Sequence, residues 1–188
     1  MQINNDVIET AKRFATDAHK GQFLKNASAH PFITHPERVV RLVTDAGGTT
    51  EEIAAAWLHD VVEDTKVTIE EIKKLFGREI AELVDGLTDP DHFSEHPHRI
   101  RKAWQAERVG DKGLGVKKVK LADQTVNTEM MGFDPPVGWD PLQRLEYVEG
   151  ARLISLKCKG ISSALDKNFE KIYHKAFNAI RKDMGREK

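Results

Sequence analysis

The sequence predicts an all-α fold, because apolar residues have helical spacing, helix-capping signals repeat, and no segment alternates as a strand would. Apolar residues recur at intervals of three and four near both ends of the chain. These stripes comprise Val7, Ile8, Ala11, Phe14, Ala15 and Ala18 at one end, and Leu165, Phe169, Ile172, Tyr173, Ala176, Phe177 and Ile180 at the other. Such stripes face a common core, so we expect a bundle of roughly eight to ten helices.

Local signals mark where the helices of the first half begin and end. A threonine followed three residues later by a glutamate predicts a capping box at a helix start, and glycine predicts a helix end. The boxes are Thr49 with Glu52 and Thr68 with Glu71, and the terminating glycines are Gly47, Gly48 and Gly77. We therefore expect one helix to end before Gly47 and new helices to begin after Thr49 and Thr68.

The second half alternates helices with loops that are polar or rich in glycine and proline. We expect a surface loop at 88–98, a helix over 99–109, a break at 110–115, a helix over roughly 116–130 and a long loop at 132–141. Asp140 followed by Pro141 predicts the next helix start, since aspartate caps well and proline suits the first turn. No repeat or linker interrupts the chain, so we expect a single domain over residues 1–188.

Composition and charge restrict the class of protein. The 188 residues are 39% hydrophobic and 31% charged, which is typical of a globular domain. The 29 basic and 30 acidic residues give a net charge of −1, so we expect no general affinity for nucleic acid or anionic membranes. The single cysteine excludes an internal disulfide and a cysteine-rich zinc site. The chain shows no secretory signal and no apolar run of about 18 residues. We therefore expect a cytoplasmic protein, and the sequence leaves open whether it forms a homo-oligomer.

The segment 54–65, AAAWLHDVVEDT, places four ionisable residues within an otherwise apolar helix. At about 100° per residue, the four share one arc of that helix. They are His59, Asp60, Glu63 and Asp64. Three carboxylates on a buried arc are costly unless a positive charge compensates them, and a divalent cation would do so. The alternative is that the arc simply faces water.

Two further residues favour the metal interpretation. His35 lies at the start of a helix in ITHPERVV, and Asp123 is flanked by apolar residues in KVKLADQTVN. Together with His59 and Asp60 they would form a site of two histidines and two carboxylates. Mixed nitrogen and oxygen ligands suit manganese, iron or zinc. Each residue alone is more often a helix cap or a surface residue, so the combination carries the interpretation.

The order of five motifs resembles the RelA/SpoT-type hydrolase family of the HD-domain superfamily. The motifs are HKGQF, PFITHP, AAAWLHDVVEDT, ELVDGLT and KLADxxxN. The resemblance spans roughly residues 7–180 and implies an HD-domain helical bundle that acts as a stand-alone small alarmone hydrolase. Members of this family remove the 3′-pyrophosphate of guanosine tetra- and pentaphosphate, which gives GDP or GTP and pyrophosphate.

The resemblance also implies roles for individual residues. The family's metal ligands fall on His35, His59, Asp60 and Asp123. Its metal is manganese, although another divalent transition metal would suit the same donors. Its paired acids, which help to activate the attacking water, fall on Glu63 and Asp64. Its nucleotide-binding positions fall on Lys25, Asn127 and Tyr147, with Arg144 as a further neighbour.

The chain departs from the family pattern on the nucleoside side. Leu24 stands where the family usually has arginine, Gln124 where it has a basic residue, and Met130 where it often has threonine. The loop at 26–30 is longer than the common family form. The metal and water-activating positions are intact, so the resemblance implies conserved chemistry. The preferred base is left open between guanine and adenine, which makes ppApp a candidate substrate beside ppGpp.

The sequence keeps two other functions open. The first is an HD-superfamily phosphohydrolase of another nucleotide, such as a phosphorylated dinucleotide cofactor. The second is a non-catalytic nucleotide-binding protein, against which the six intact site residues argue. Candidate phosphate-binding cations are Lys25, Arg101, Lys102 and Arg144, each of which could instead be a solvated surface charge. We interpret His19 as structural, and His92, His96 and His98 as exposed residues without a metal.

Overall fold

The computed structural model describes residues 3–186 and, within this range, contains ten α-helices and no β-strand. The all-α prediction is therefore confirmed. The helices are α1 (Asn5–Ala18), α2 (Thr34–Asp45), α3 (Thr50–Leu58), α4 (Val61–Asp64), α5 (Ile69–Phe76), α6 (Arg78–Leu87), α7 (His98–Gly110), α8 (Leu114–Phe133), α9 (Pro141–Cys158) and α10 (Ser163–Arg186). None of these helices is both long enough and apolar enough to cross a lipid bilayer.

Helix α8 lies at the centre of the bundle and packs against α2, α3, α6, α7, α9 and α10. Its middle turns are buried, yet consecutive buried positions there include the polar residues Asp123, Gln124 and Thr125. A buried polar run is costly unless it is hydrogen-bonded or functional. The centre of α8 is therefore where the fold brings polar chemistry into the core.

Helix α3 is the second central element, and every residue from Ile53 to Leu58 is buried. It packs against α1, α2, α6 and α8. The apolar residues at the start of the segment 54–65 are therefore enclosed by neighbouring helices. Because α3 packs on both α2 and α8, its C-terminal end brings His59 and Asp60 close to these two helices.

The predicted capping signals are present in the structure. The side chains of Thr49 and Thr68 accept hydrogen bonds from the backbone N–H groups of Glu52 and Glu71, and each glutamate reaches back to its cap. Asp140 caps α9, with Pro141 in the first turn. These signals were readable because each depends on residues within one turn of the helix start.

The segment 54–65 differs from the single helix that the sequence suggested. The helix stops at Leu58, His59 and Asp60 form a turn, and the short α4 begins at Val61. Both turn residues keep backbone angles in the right-handed helical region, with ψ widened to −6° at Asp60. The four ionisable side chains therefore still point to one side, although the hydrogen-bond ladder is interrupted.

The predicted helices over 99–109 and 116–130, and the loops that flank them, also change in extent. The loop at 88–98 contains a short 3-10 helix, Asp91–Glu95, and ends where α7 begins at His98. Helix α8 is longer at both ends than the predicted 116–130. Isolated bridges join Phe23 to Pro31 and Asn26 to Pro136, which ties the 26–30 loop to the proline-rich loop before α9.

Candidate active site

Four side chains from three parts of the chain meet between α2, α3 and α8. His35 Nε2 lies 3.2 Å from His59 Nε2 and 3.3 Å from Asp123 Oδ1. Asp60 Oδ2 lies 3.5 Å from His35 Nε2 and 3.2 Å from His59 Nε2. The ligand atoms of His35, His59 and Asp123 all fall within 4.8 Å of one another, and these three residues are buried. The structure thus brings together the four residues predicted as metal ligands.

The chemistry of this cluster fits a divalent cation. His59 Nδ1 lies 2.8 Å from the carbonyl oxygen of Ala56, which fixes a proton on Nδ1 and makes Nε2 the nitrogen that faces the cluster and would bind a metal. Burial lowers the pKa of His59, but the carboxylates of Asp60 and Asp123 outweigh it and raise the pKa to about 9. The cluster therefore demands positive charge, which a metal ion bound by two imidazoles and two carboxylates supplies.

The neighbours of Asp123 orient its carboxylate. Asn127, one turn later on α8, donates from Nδ2 to Asp123 Oδ1 at 2.6 Å. Gln124 donates from Nε2 to Asp123 Oδ2 at 2.7 Å. Burial raises the pKa of Asp123. The hydrogen bond with His35 and the charge of the nearby Lys120 lower the pKa by more than burial raises it, so this carboxyl group is ionised. Asn127 was predicted to contact the nucleotide. In the structure it hydrogen-bonds to the predicted metal ligand Asp123 and also lines a cavity that opens beside the cluster.

Glu63 and Asp64 lie on α4, next to the cluster and at the mouth of that cavity. Both side chains are solvent-exposed, yet protein groups crowd their carboxyl groups. Loss of hydration raises the pKa of Glu63 to about 7, with Lys120 opposing and Asp60 adding to the effect. Glu63 also accepts a hydrogen bond from the backbone N–H of Asp89, so the loop after α6 holds it. A carboxyl group with a pKa near 7 suits proton transfer at neutral pH.

A chain of hydrogen bonds links His19 to the acidic pair. His19 Nδ1 lies 2.7 Å from Gln22 Oε1, and Gln22 Nε2 donates to the backbone oxygen of Asp64 at 2.8 Å. His19 is buried and its ring lies against Phe32. The geometry agrees with the structural interpretation of His19, which fixes Gln22 and through it the end of α4.

A cavity of about 230 Å³ opens from the metal-binding cluster, and its lining carries both acidic and basic side chains. We call Asp60, Glu63, Asp64 and Asp123 its acidic end, and Arg101, Lys102, Lys120 and the exposed His98 its basic end. The two are in contact, since Lys120 Nζ lies 3.8 Å from Asp123 Oδ2. Burial lowers the pKa of Lys120, but Asp123, Asp89 and Glu63 more than reverse this, so the amine stays charged. An acidic end for a cation beside a basic end for an anion is the arrangement that hydrolysis of a phosphate ester requires.

Some of the cations at this basic end were foreseen, and others were missed. Arg101 and Lys102 were candidates on the sequence, whereas Lys120 and His98 were not assigned to the site. Lys120 lies one helical turn before Asp123 in the motif KLAD, which is the signal that could have located it. His98 packs on Trp139 and Tyr147, with ring centroids 4.6 Å and 5.9 Å away, so it lines the cavity from the first residue of α7, although it is exposed as expected.

Tyr147 lies on α9 and lines the cavity, as predicted for a nucleotide contact. Lys102 Nζ stands 4.0 Å from the centre of its ring. Burial raises the pKa of Tyr147, so its phenol stays protonated and can donate a hydrogen bond. The ring face of Tyr147 can therefore interact with a cation, and its phenolic O–H can donate a hydrogen bond to an anion.

Lys25, the remaining predicted contact on the nucleoside side, lies in an adjoining cleft. This cleft shares Leu24, Phe32, Asp64 and Met130 with the cavity and is otherwise bounded by Gln22, Phe23, Lys25 and Pro136. Its volume is about 480 Å³. Lys25 is exposed, and its backbone oxygen accepts a hydrogen bond from Val137 at 2.9 Å. The departures at Leu24 and Met130 therefore lie on the boundary between the two spaces.

Arg144 is not brought to the cavity. Its guanidinium is buried and donates to the backbone oxygens of Met131 at 2.8 Å and Gly132 at 3.3 Å, and to Asp183 at 3.0 Å. These bonds close the end of α8 against α10. Arg144 thus has a structural position in place of the predicted nucleotide contact. Cys158 is buried, and burial raises the pKa of its thiol to about 12, so it is inert.

The fold and the site together define an HD-domain protein. The model of the HD domain family matches residues 11–131, which include all four predicted metal ligands and the acidic pair. The chain belongs to this family.

Within the family, the chain is similar to proteins named for alarmone hydrolysis. It is 33% identical over 169 residues to guanosine-3′,5′-bis(diphosphate) 3′-pyrophosphohydrolase MESH1 of Danio rerio, a match that covers 89% of this chain and 92% of that protein. It is 37% identical over 131 residues to the bifunctional (p)ppGpp synthase/hydrolase SpoT of Escherichia coli K12, and this covers 66% of this chain and 18% of SpoT. The predicted resemblance to RelA/SpoT-type hydrolases is confirmed.

A solved structure supports the same relationship. The protein is described as a metazoan ortholog of SpoT that hydrolyses ppGpp, and it superposes with a TM-score of 0.84 at 26% identity. The match covers 93% of this chain and 97% of that one. The helical arrangement is therefore shared over nearly the whole of both chains.

Proposed function

We propose that this chain is a metal-dependent hydrolase that removes the 3′-pyrophosphate from purine alarmones, ppGpp and pppGpp or their adenine counterparts. The observation that carries the proposal is the cavity whose wall combines a two-histidine, two-carboxylate cluster with the cations Arg101, Lys102 and Lys120. The names of the relatives support the same reaction. We further propose that residues 1–188 form one catalytic domain and that manganese is the metal.

The ligands of the metal are His35, His59, Asp60 and Asp123 in this proposal. A bound divalent cation supplies Lewis acidity, which lowers the pKa of a water molecule and neutralises phosphate charge. Asn127 and the backbone oxygen of Ala56 hold two of the ligands in the required orientation. Glu63 accepts the proton of the attacking water, and Asp64 orients that water from the neighbouring position on α4.

The basic end of the cavity binds the phosphates. Lys120 and Lys102 offset the charge of the 3′-pyrophosphate group, and Arg101 extends the positive surface along α7. As the water oxygen bonds to the phosphorus, the bond from that phosphorus to the ribose 3′-oxygen breaks, and the 3′-oxygen takes up a proton from solvent and leaves as a hydroxyl. Tyr147 donates a hydrogen bond to a phosphate oxygen, because its raised pKa keeps the phenol protonated. With the acidic pair on the opposite side, the scissile phosphate lies between the attacking water and these cations.

The adjoining cleft accommodates the nucleoside. Leu24 and Met130 face the passage between cavity and cleft, and neither side chain hydrogen-bonds to a base edge. Lys25 supplies the charge at that end. A boundary without specific donors does not select guanine, so both purine series enter the proposal.

The deciding experiment is pyrophosphate release by the manganese-loaded protein from ppGpp and ppApp in parallel. Turnover of either substrate that is lost with EDTA and with Asp60→Ala supports the proposal, and the faster substrate names the base. A conserved fold in Asp60→Ala, measured by circular dichroism, is the necessary control.

The two alternative functions predict different results in the same assay. A panel that includes a phosphorylated dinucleotide cofactor identifies another nucleotide phosphohydrolase if only that compound is hydrolysed. Nucleotide binding without turnover of any compound, in protein that contains its metal, indicates a non-catalytic binding protein and contradicts the proposal.

A further inference from the structure

Gln124 is one of the most enclosed polar side chains of the site, with 1% of its surface exposed. It lies on α8 directly after the ligand Asp123, and both ends of its amide are used. Its Oε1 accepts from Lys102 Nζ at 2.7 Å, and its Nε2 donates to Asp123 Oδ2 at 2.7 Å. The orientation of the amide is fixed by these partners, because an ammonium group only donates and a carboxylate only accepts.

Lys102 extends from α7 to Gln124 through a space that is available because residue 150 of α9 is a glycine. It passes α9 at Gly150, where an added Cβ would lie 2.5 Å from Lys102 Cβ and 2.7 Å from its Cγ. Its side chain is 4% exposed, and its ammonium group stands over the ring of Tyr147. Burial lowers the pKa of the Lys102 amine to about 7, with the carboxylate of Asp123 opposing the effect. Gln124 and Tyr147 provide partners for the charged form, which a phosphate anion bound in the cavity would favour further.

We propose that Gln124 is a positioning residue that couples the two ends of the cavity. Through Oε1 it holds the ammonium group of Lys102 toward the substrate's phosphates, and through Nε2 it holds Asp123 so that the opposite oxygen faces the metal. This inference rests on the proposed function only for the identity of the phosphate compound. It concerns how the site is assembled, which can be measured without turnover.

The chemistry of an amide explains why glutamine suits this position. A carboxylate at 124 would face Asp123 with like charge, and an apolar side chain would leave both neighbours without their bond. A cation at 124 would keep a donor for Asp123 but lose the acceptor for Lys102. Among side chains of this length, the amide alone satisfies a lysine and an aspartate at once.

The test is a double-mutant cycle with Lys102→Met and Gln124→Met, read by two titrations on each protein. One titration measures the Kd for Mn²⁺, and the other measures the Kd for inorganic pyrophosphate at saturating Mn²⁺. We expect Gln124→Met to weaken Mn²⁺ binding by about tenfold or more, as for other residues that orient metal ligands. We expect it to weaken pyrophosphate binding by about tenfold in the wild-type background and less than about twofold in the Lys102→Met background.

This pattern separates positioning from general damage to the fold. If Gln124 acted only through packing, its replacement would change pyrophosphate affinity equally in both backgrounds. Equal effects, or an unchanged Kd for Mn²⁺, would overturn the inference. Gln143→Met, which alters an exposed glutamine at the start of α9 and removes only the capping bond from the Asp140 N–H, is the control and should leave both constants unchanged.

Steady-state kinetics provide an independent reading. Loss of Lys102 should raise KM more than it lowers kcat, whereas loss of Gln124 should affect both unless Mn²⁺ is saturating. If the wild-type protein hydrolyses neither ppGpp nor ppApp, the proposed function fails while the two titrations still decide the role of Gln124. If turnover is present and the cycle is additive, only the inference about Gln124 fails.

Discussion

The carboxylates of the candidate active site differ in the groups that surround them. Asp123 faces His35 and Lys120, which keep it ionised as a metal ligand despite its burial. Glu63 has lost hydration without an equal gain in positive charge, so its pKa is raised to about 7. Different surroundings thus divide ligand and proton acceptor between chemically similar side chains.

Replacement of Glu63 tests this division of roles. We expect Glu63→Gln to lower kcat by about 10²–10⁴, because the amide cannot accept the proton of the attacking water. Manganese affinity should stay close to that of the wild-type protein, since Glu63 is outside the ligand cluster. Single-turnover kinetics and a Mn²⁺ titration on the same sample measure both quantities.

The control for this variant is Glu79→Gln, which changes an exposed carboxylate on α6. It should leave kcat unchanged. Full turnover by Glu63→Gln in metal-loaded protein would show that Asp64 alone serves the water, and the proposed role of Glu63 would be wrong.

The residues that carry the chemistry were predictable to different degrees. The metal ligands and the acidic pair could be found because four ionisable residues interrupt an apolar segment and because the order of five motifs resembles a known family. Lys120 was missed and Arg144 was misplaced, because a basic residue on a helix reveals its direction only once the neighbouring helices are packed. Lys102 is an example, since its access depends on Gly150 on another helix.

Removal of Arg144 distinguishes its structural position from a nucleotide contact. We expect Arg144→Met to lower the free energy of unfolding by about 2 kcal/mol, because the carbonyl oxygens of Met131 and Gly132 lose their charged donor. KM for the alarmone should change less than about twofold. A urea titration and initial-rate kinetics provide the two measurements. A raised KM with unchanged stability would restore the nucleotide contact.

Among the secondary-structure elements, the contact between α8 and α10 is a close approach that involves a glycine. A Cβ on Gly132 would lie 2.7 Å from the Cα of Ala176, which is a backbone atom that cannot move alone. The carbonyl oxygen of the same glycine accepts from Arg144. The end of α8 is therefore fixed by both a close packing contact and a buried hydrogen bond.

Substitution at this contact should separate the two helices. We expect Gly132→Ala to destabilise the protein by about 1–3 kcal/mol, as overpacking of a tight contact does. Gly185→Ala, on α10 with nothing within 4 Å of the added methyl group, is the matched control. It should be neutral or slightly stabilising, because alanine favours a helix over glycine. Equal stability of the two variants, in thermal unfolding, would contradict the assigned contact.

The elements themselves were largely predictable because their signals are local. The capping boxes at Thr49 and Thr68 located two helix starts, and Asp140 located a third. The turn at His59 and Asp60 was not predicted, since apolar residues continue on both sides of it and no glycine or proline marks the interruption. That turn is set by packing around the ligand cluster, which spacing within the segment does not reveal.

On the scale of the whole molecule, the metal ligands join parts of the chain that are distant in sequence. His35 comes from the start of α2, His59 and Asp60 from the turn after α3, and Asp123 from the centre of α8. A cation held by all four therefore links three elements of the core. Without it, the carboxylates of Asp60 and Asp123 repel each other, and His59, His35 and Lys120 are left to compensate their charge.

Metal binding should therefore stabilise the folded protein as a whole. At a free Mn²⁺ concentration of about 100 times Kd, we expect about 2.7 kcal/mol of stabilisation. For a chain of this size, this corresponds to a rise in Tm of about 5–10 °C over the EDTA-treated protein. Differential scanning calorimetry with and without Mn²⁺ measures the shift.

Asp123→Asn should abolish the shift, whereas His98→Asn, which changes the cavity wall without removing a ligand, should keep it. Loss of the shift in both variants would mean that the cation binds at the basic end of the cavity, where no ligand cluster exists among the described residues. A shift retained in Asp123→Asn would place the stabilising cation outside the cluster, and the proposed ligand set would then be wrong.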